Sequence, residues 1–186
     1  IIMSIQQMLF AGFIQVNVIS TAGAGSVTAP ISATSVTVEA IGGGGNGFGN
    51  ATAGNRASGG GGRYAISNAK ISVTPGTTIV YYSVGAAVAN SWVNVGTNAA
   101  PTAATTGCLA RNGSSGASAV AGSGALTGSV GATTRNGGNG QTGTNSGGAG
   151  GAGATTAGTN AATATGTAGG TDTTGLSVLL MGGGTG

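Results

Sequence analysis

GCLARNGSSGASAVAGSGALTGSVGATTRNGGNGQTG, residues 107–143, decides how the second half of this chain packs. Every third residue from Gly107 to Gly143 forms a column of 13 positions. Nine are Gly, three are Ala (Ala110, Ala119, Ala125) and one is Thr134. The other 24 positions hold only Gly124 and Gly138, whereas 11 glycines scattered over 37 residues would put about four in that column. The period of three is therefore real. Three residues per turn is the repeat of the polyproline II helix, which satisfies none of its own backbone groups. Glycine on one edge of each turn lets neighbouring helices approach until N–H and C=O bond between them. Collagen has the same period, but its column is unbroken and rich in Pro, and no Pro follows Pro101 here. At a rise of about 3.1 Å the stretch would run roughly 115 Å if straight, so several short antiparallel segments are expected. NSGGAGGAGATT (145–156) keeps the triplet in a shifted phase, which predicts a turn near 144–146.

Upstream the pattern has period two. FIQVNVIS (13–20) alternates Ile14, Val16 and Val18 with Gln15 and Asn17, and SVTVEAI (35–41) alternates Val36 and Val38 with Thr37 and Glu39; both read as strands. Pro75-Gly76 suits the centre of a type II turn between ISVT and TTIVYYSV, a geometry that fits a tight hairpin poorly. TTIVYYSV reads as a strand with Ile79, Tyr81 and Ser83 on one face, and SWVNV continues the pattern. The chain is thus expected to be mainly β. A docking segment spans 1–13, and a small antiparallel β-domain spans 14–106 with a glycine-rich insert at 42–63. A bundle of polyglycine II-like helices fills 107–186.

Composition removes most chemistry. The 186 residues include 42 Gly, no His, one Cys and a net charge of +3, from Arg56, Arg63, Lys70, Arg111 and Arg135 against Glu39 and Asp172. Scattered basic residues are a poor nucleic-acid footprint. Cys108 has neither a disulfide partner nor a His to activate it, and two carboxylates 133 positions apart in sequence are the whole supply of acid–base groups. Gly42–Gly47 spells G-x-G-x-x-G after a strand, but FGNATAGNRASGGGG is no helix and no acidic residue follows about 20 positions on, as a dinucleotide site requires. The chain is read as non-enzymatic, with no cofactor and no metal. No apolar run reaches the roughly 18–20 residues of a membrane span. MSIQQMLFAGFIQVNVISTAGAG lacks the basic start of a secretory signal, and SIQQMLF reads equally as a short amphipathic helix with Ile5, Met8 and Leu9 on one face.

In this order, SVTVEAIGGGGNG, SGGGGRYA, ISVTPGTTIVYYSVGA, WVNVG and GSVGATTRNGGNG resemble the glycine-rich domains of bacteriophage tail-fibre and adhesin proteins, over about residues 35–153. MSIQQML is similar to the starts of phage structural proteins, which makes Met3 the expected start. The resemblance implies a β-rich base, packed polyglycine II helices and tip loops that contact the host surface. The expected protein is an extracellular virion component of a tail fibre or tail tip, present in multiple copies or as a homo-oligomer. Its partners would be other virion proteins and a host polysaccharide or outer-membrane protein. A capsid decoration protein is the alternative, and an ice-binding or other extracellular glycine-rich protein is the third class. Regular Thr spacing, which an ice-binding face needs, is absent.

Five residues are the candidate contacts with receptor or partner. Trp92, the sole Trp, reads first as an anchor of the β-core and second as a platform for a sugar ring. Arg111 and Arg135 lie off the glycine column and read first as solubilising an otherwise neutral surface and second as contacts for an anionic polysaccharide or phosphate, with Asn136 and Asn139 beside them. Ile5, Met8, Leu9 and Phe10 are the candidate docking residues.

Overall fold

A computed structural model describes residues 17–48, 56–117, 120, 122–140 and 142–143. The described residues form strands and no helix, so the mainly-β expectation holds. In chain order the strands are β1 Gly23–Thr28, β2 Ser35–Val36, β3 Glu39–Ile41, β4 Arg56–Ala57, β5 Tyr64–Ile66 and β6 Ile71–Ser72. They continue with β7 Ile79–Val84, β8 Ser91–Val95, β9 Gly107–Ala110, β10 Thr133–Arg135 and β11 Thr142–Gly143. A four-stranded sheet has the order β1-β7-β8-β9 and a three-stranded sheet the order β10-β5-β3. Two small pairs, β11-β4 and β2-β6, complete the set. All these pairings are antiparallel.

Three sequence expectations shift. The strand expected over 14–20 does not include its described part: Asn17–Ser20 join no strand, Val18 is 70% exposed, and the first described strand starts at Gly23; Ile14 and Val16 fall outside the described residues. Tertiary packing selects the later segment. Gly25 sits opposite Tyr82 and leaves room for its ring, since a Cβ there would be 2.7 Å from Cζ. SVTVEAI divides into β2 and β3, which belong to different sheets, because Ser67 takes over the backbone of Val38 between them. Its N–H donates to Val38 O at 2.9 Å and its Oγ accepts from Val38 N at 3.1 Å. The glycine column, finally, begins inside a strand, since Gly107–Ala110 is β9 and Thr133–Arg135 is β10. The Pro75-Gly76 turn forms as expected, with Gly76 at φ +66° and Thr77 N–H donating to Thr74 O at 3.2 Å. It makes no hairpin, because β6 pairs with β2 while β7 pairs with β1 and β8.

The two main sheets meet through small side chains. Ala40 and Ala65 of the three-stranded sheet pack on Cys108 and Ala110 of β9, with Val38 and Val93 at the margin. Tyr64 is 3% exposed on the other face of the three-stranded sheet, against Ile41 and Ile66.

Beyond the sheets lies a second packed region with almost no side chains. Residues 42–47 follow β3, 58–63 precede β5, 111–116 follow β9 and 136–140 follow β10, all in neither helix nor strand. Residues 57–62 are buried throughout although nothing larger than Ser is present. Four neighbouring segments bond to this stretch and its continuation to Arg63. Gly45 N–H donates to Gly60 O at 2.8 Å, Gly60 N–H to Ser114 O at 3.0 Å, Gly61 N–H to Gly138 O at 2.9 Å and Gly122 N–H to Ser58 O at 2.8 Å. The column glycines 113, 116, 122, 131, 137 and 140 each lie so close to foreign main chain that a Cβ would fall inside 3 Å of it. Gly128 departs from this: its Cβ position meets no main chain, only the Arg111 side chain at ordinary contact distance, and it supplies a positive φ of +92°.

Candidate functional site

The predicted contact residues are distributed over three parts of the molecule. Trp92 lies on β8, opposite Ser83 of β7 and Leu109 of β9. Strand alternation puts Val93 and Cys108 on the face toward the second sheet, so Trp92 takes the other face. It is half-buried and belongs to neither core cluster. The anchor reading of Trp92 therefore gives way to a position on the outer sheet face. Tyr81 pairs with Asn94, two residues from Trp92, which sets Tyr81, Ser83, Trp92 and Leu109 on one face. Sequence reasoning missed the Tyr81–Trp92 neighbourhood. The alternation of TTIVYYSV carried half the signal, but the β7–β8 register was needed to align the rings.

Arg111 opens the segment after β9. Its N–H donates to Ser129 Oγ at 3.1 Å and its C=O accepts the Arg63 N–H at 2.9 Å. The two arginine side chains flank one loop: Arg63 Nη1 donates to Leu126 O, and Arg111 Nε comes within 4 Å of where a Gly128 Cβ would stand. Both Nε atoms are buried without a hydrogen-bond partner among the described residues. Burial lowers the pKa of Arg63.

Arg135 stands elsewhere, on β10 opposite Tyr64 and half-buried. Burial, and after it the nearby Glu39 carboxylate, raises the Tyr64 phenol well above its usual range, while the Arg135 charge opposes them. Asn136 is half-buried. Asn139 holds two glycine segments together, its Oδ1 accepting from Gly124 N–H at 3.0 Å and Ser123 Oγ at 3.3 Å. That makes it a brace as well as a surface residue. Ile5, Met8, Leu9 and Phe10 lie outside the described residues.

Cys108 is fully buried, with Sγ 3.4 Å from Val38 O. Burial first and the Glu39 charge second push its thiol up to about 12. A thiol needs its thiolate to react, so alkylation of the native protein at pH 8 should run at least about a thousandfold slower than that of a free cysteine. Labelling that matches the urea-unfolded chain would contradict this placement. Stability follows the same group. The unfolded thiol titrates near 9.0 and the folded one near 12, so stability is unaffected by this group below about pH 9. It then falls by about 1.4 kcal/mol per pH unit as the unfolded state releases its proton first. Thermal melts from pH 8 to 10 should show this decline and Cys108→Ala should flatten it there, whereas above pH 10 the raised Tyr64 phenol adds a decline of the same sign.

Among the described residues no three His, Cys, Asp or Glu side chains stand together, and no helix is long and apolar enough to cross a membrane. No protein-family model, curated protein or solved structure matches the chain.

Proposed function

We propose that this chain is a non-enzymatic structural protein of a bacteriophage virion, a tail-fibre or tail-tip component used in host attachment. In this reading the two sheets are the base. The segments 42–47, 58–63, 111–116, 122–124 and 136–140 are polyglycine II-like helices packed as a bundle beyond it. One observation carries the reading: the buried stretch 57–62, whose neighbours bond to it through main chain. A core built from peptide groups exposes few large apolar or charged side chains to solvent, which suits a part that must endure outside a cell. It also agrees with the resemblance, in the order of its motifs, to glycine-rich domains of tail-fibre and adhesin proteins. Host contact falls to the surface, where Trp92 with Tyr81 offers rings for a sugar and Arg111 and Arg135 offer charge for an anionic polysaccharide. Other virion proteins are the assembly partners.

Gold-labelled antibodies against the chain, applied to purified particles of the phage that encodes it, test the role. Label confined to the tail or its fibres is the expected result. Label spread over the icosahedral shell would move the protein to capsid decoration, and particles free of it would end the virion reading. The helical part has its own measurement. Backbone couplings and shifts of Gly42–Gly45 and Gly59–Gly62 should report φ near −75° and ψ near +145°, with β or α values counting against it.

A further inference from the structure

Four Asn-Gly dipeptides occur in the chain, at 46–47, 112–113, 136–137 and 139–140, all within the glycine-rich segments. Asparagine is a thermolabile residue, and it deamidates most readily when glycine follows. The main-chain nitrogen of the next residue attacks the side-chain Cγ. An N–Cγ bond forms, the Cγ–Nδ2 bond breaks, and Nδ2 leaves as ammonia with the proton of the attacking nitrogen. Water then opens the five-membered imide at one of its two carbonyls, giving aspartate or isoaspartate. Glycine speeds the attack because it has no Cβ to restrict the turn that brings its nitrogen onto Cγ.

Packing requires the glycine in three of these pairs. Gly113, Gly137 and Gly140 are buried. A Cβ on them would stand 2.7 Å from Gly61 O, 2.7 Å from Gly62 O and 2.8 Å from Gly59 O respectively. The same packing occupies the nitrogens that would attack. Gly113 N–H donates to Gly43 O at 2.9 Å, Gly137 N–H to Gly124 O at 2.9 Å and Gly140 N–H to Gly122 O at 2.8 Å. Two of the three carboxamides are tied as well. Asn112 Nδ2 donates to Gly113 O at 2.8 Å, and Asn139 Oδ1 accepts from Gly124 N–H at 3.0 Å and Ser123 Oγ at 3.3 Å. A peptide bonded to another segment through its N–H cannot turn toward Cγ, so reaction must wait for local opening.

We infer that Asn112, Asn136 and Asn139 are deamidation sites held shut by the glycine bundle. Opening the bundle starts the reaction, and the isoaspartate product prevents closure. That product carries one more carbon in the main chain, about 1.5 Å of extra length, among carbonyls that already leave no room for a Cβ. The bonds between segments then lose their register. None of this depends on a virion role.

Peptide mapping of the full-length protein after incubation at pH 8 and 37 °C is the test. Trypsin cuts directly before Asn112 and Asn136, and each conversion is read as the mass gained when NH2 is replaced by OH. All three sites should convert in guanidinium. In the native protein each should convert at least about a hundredfold more slowly, since only the open fraction reacts. Gly60→Ala, which strains the middle of the bundle, should raise all three native rates about tenfold or more; if that variant does not fold, the native-to-unfolded ratio decides alone. On dilution from guanidinium, the refolded fraction of aged protein should be free of isoaspartate at the three sites, and the fraction that stays unfolded should hold it. A native rate within tenfold of the unfolded one at any of the three sites overturns the inference. So do unchanged rates in a folded Gly60→Ala, or isoaspartate at these sites in refolded protein.

Discussion

Gly60→Ala is expected to cost about 3 kcal/mol of stability, the upper part of the usual range for inserting one carbon into a packed interior. The position explains the size. Gly60 N–H and C=O are bonded to Ser114 and Gly45, so the peptide cannot rotate away. An added Cβ would lie 2.5 Å from Gly124 N and closer still to the carbonyl carbon of Ser123. Those obstacles are main chain in a third segment, which yields far less than the end of a side chain. Gly113 presses on the same spot from another segment, its own Cβ position being 2.7 Å from Gly61 O. For a chain of this length the loss corresponds to a fall of roughly 6–12 °C in the thermal midpoint. Gly96→Asn is the matched control. Nothing lies within 4 Å of its Cβ position, and asparagine is among the residues that best bear its φ of +81°, so the remaining backbone strain should cost about 1 kcal/mol and lower the midpoint by only roughly 2–4 °C. Equal melting of Gly60→Ala and wild type would mean that the glycine segments do not pack through their backbones.

Tyr64→Ala should cost a comparable or larger amount, about 3–5 kcal/mol, for the opposite reason. Here the core depends on one large side chain. Tyr64 is 3% exposed between Ile41 and Ile66, on the central strand of the three-stranded sheet, with Arg135 and Ile41 as its cross-strand partners. The neighbouring cluster under the sheet holds only Ala, Cys and Val side chains, so apart from Ile41 and Ile66 themselves little is at hand to fill the space left by the ring. Tyr64→Phe keeps the ring and should lose only about 1 kcal/mol. Urea melts of the two variants separate these contributions. A Tyr64→Ala loss no larger than that of Tyr64→Phe would show that the ring is not a packing element.

Legibility differed by region for physical reasons. Strand content was visible wherever period-two alternation ran for several residues, as in TTIVYYSV, which became β7. It misled at FIQVNVIS, where Asn17–Ser20 stay outside the sheets while the plainer GAGSVT pairs with β7. Both segments are compatible with a strand, and Gly25 leaves the Tyr82 ring space that a Cβ would take. Among the site residues, Trp92 was singled out by type, but its companion Tyr81 became visible only through the β7–β8 register. Asn139 looked like a surface contact and also serves as a brace. The arginine pair went unnoticed because Arg63 and Arg111 are 48 positions apart in sequence and meet through one backbone bond.

By itself the sequence determined that this chain has little side-chain chemistry and must pack much of its length through glycine. Period and composition are local properties, and a column of glycines has meaning wherever the segments end up. Only the tertiary structure decided which segments meet: that 57–62 is buried throughout, that β9 and β10 interrupt the glycine column, and that β1 is the last of its sheet among the described strands. Those outcomes depend on hydrogen bonds between residues far apart in the chain, and glycine, having no side chain, gives no sign in advance of which neighbour it will touch.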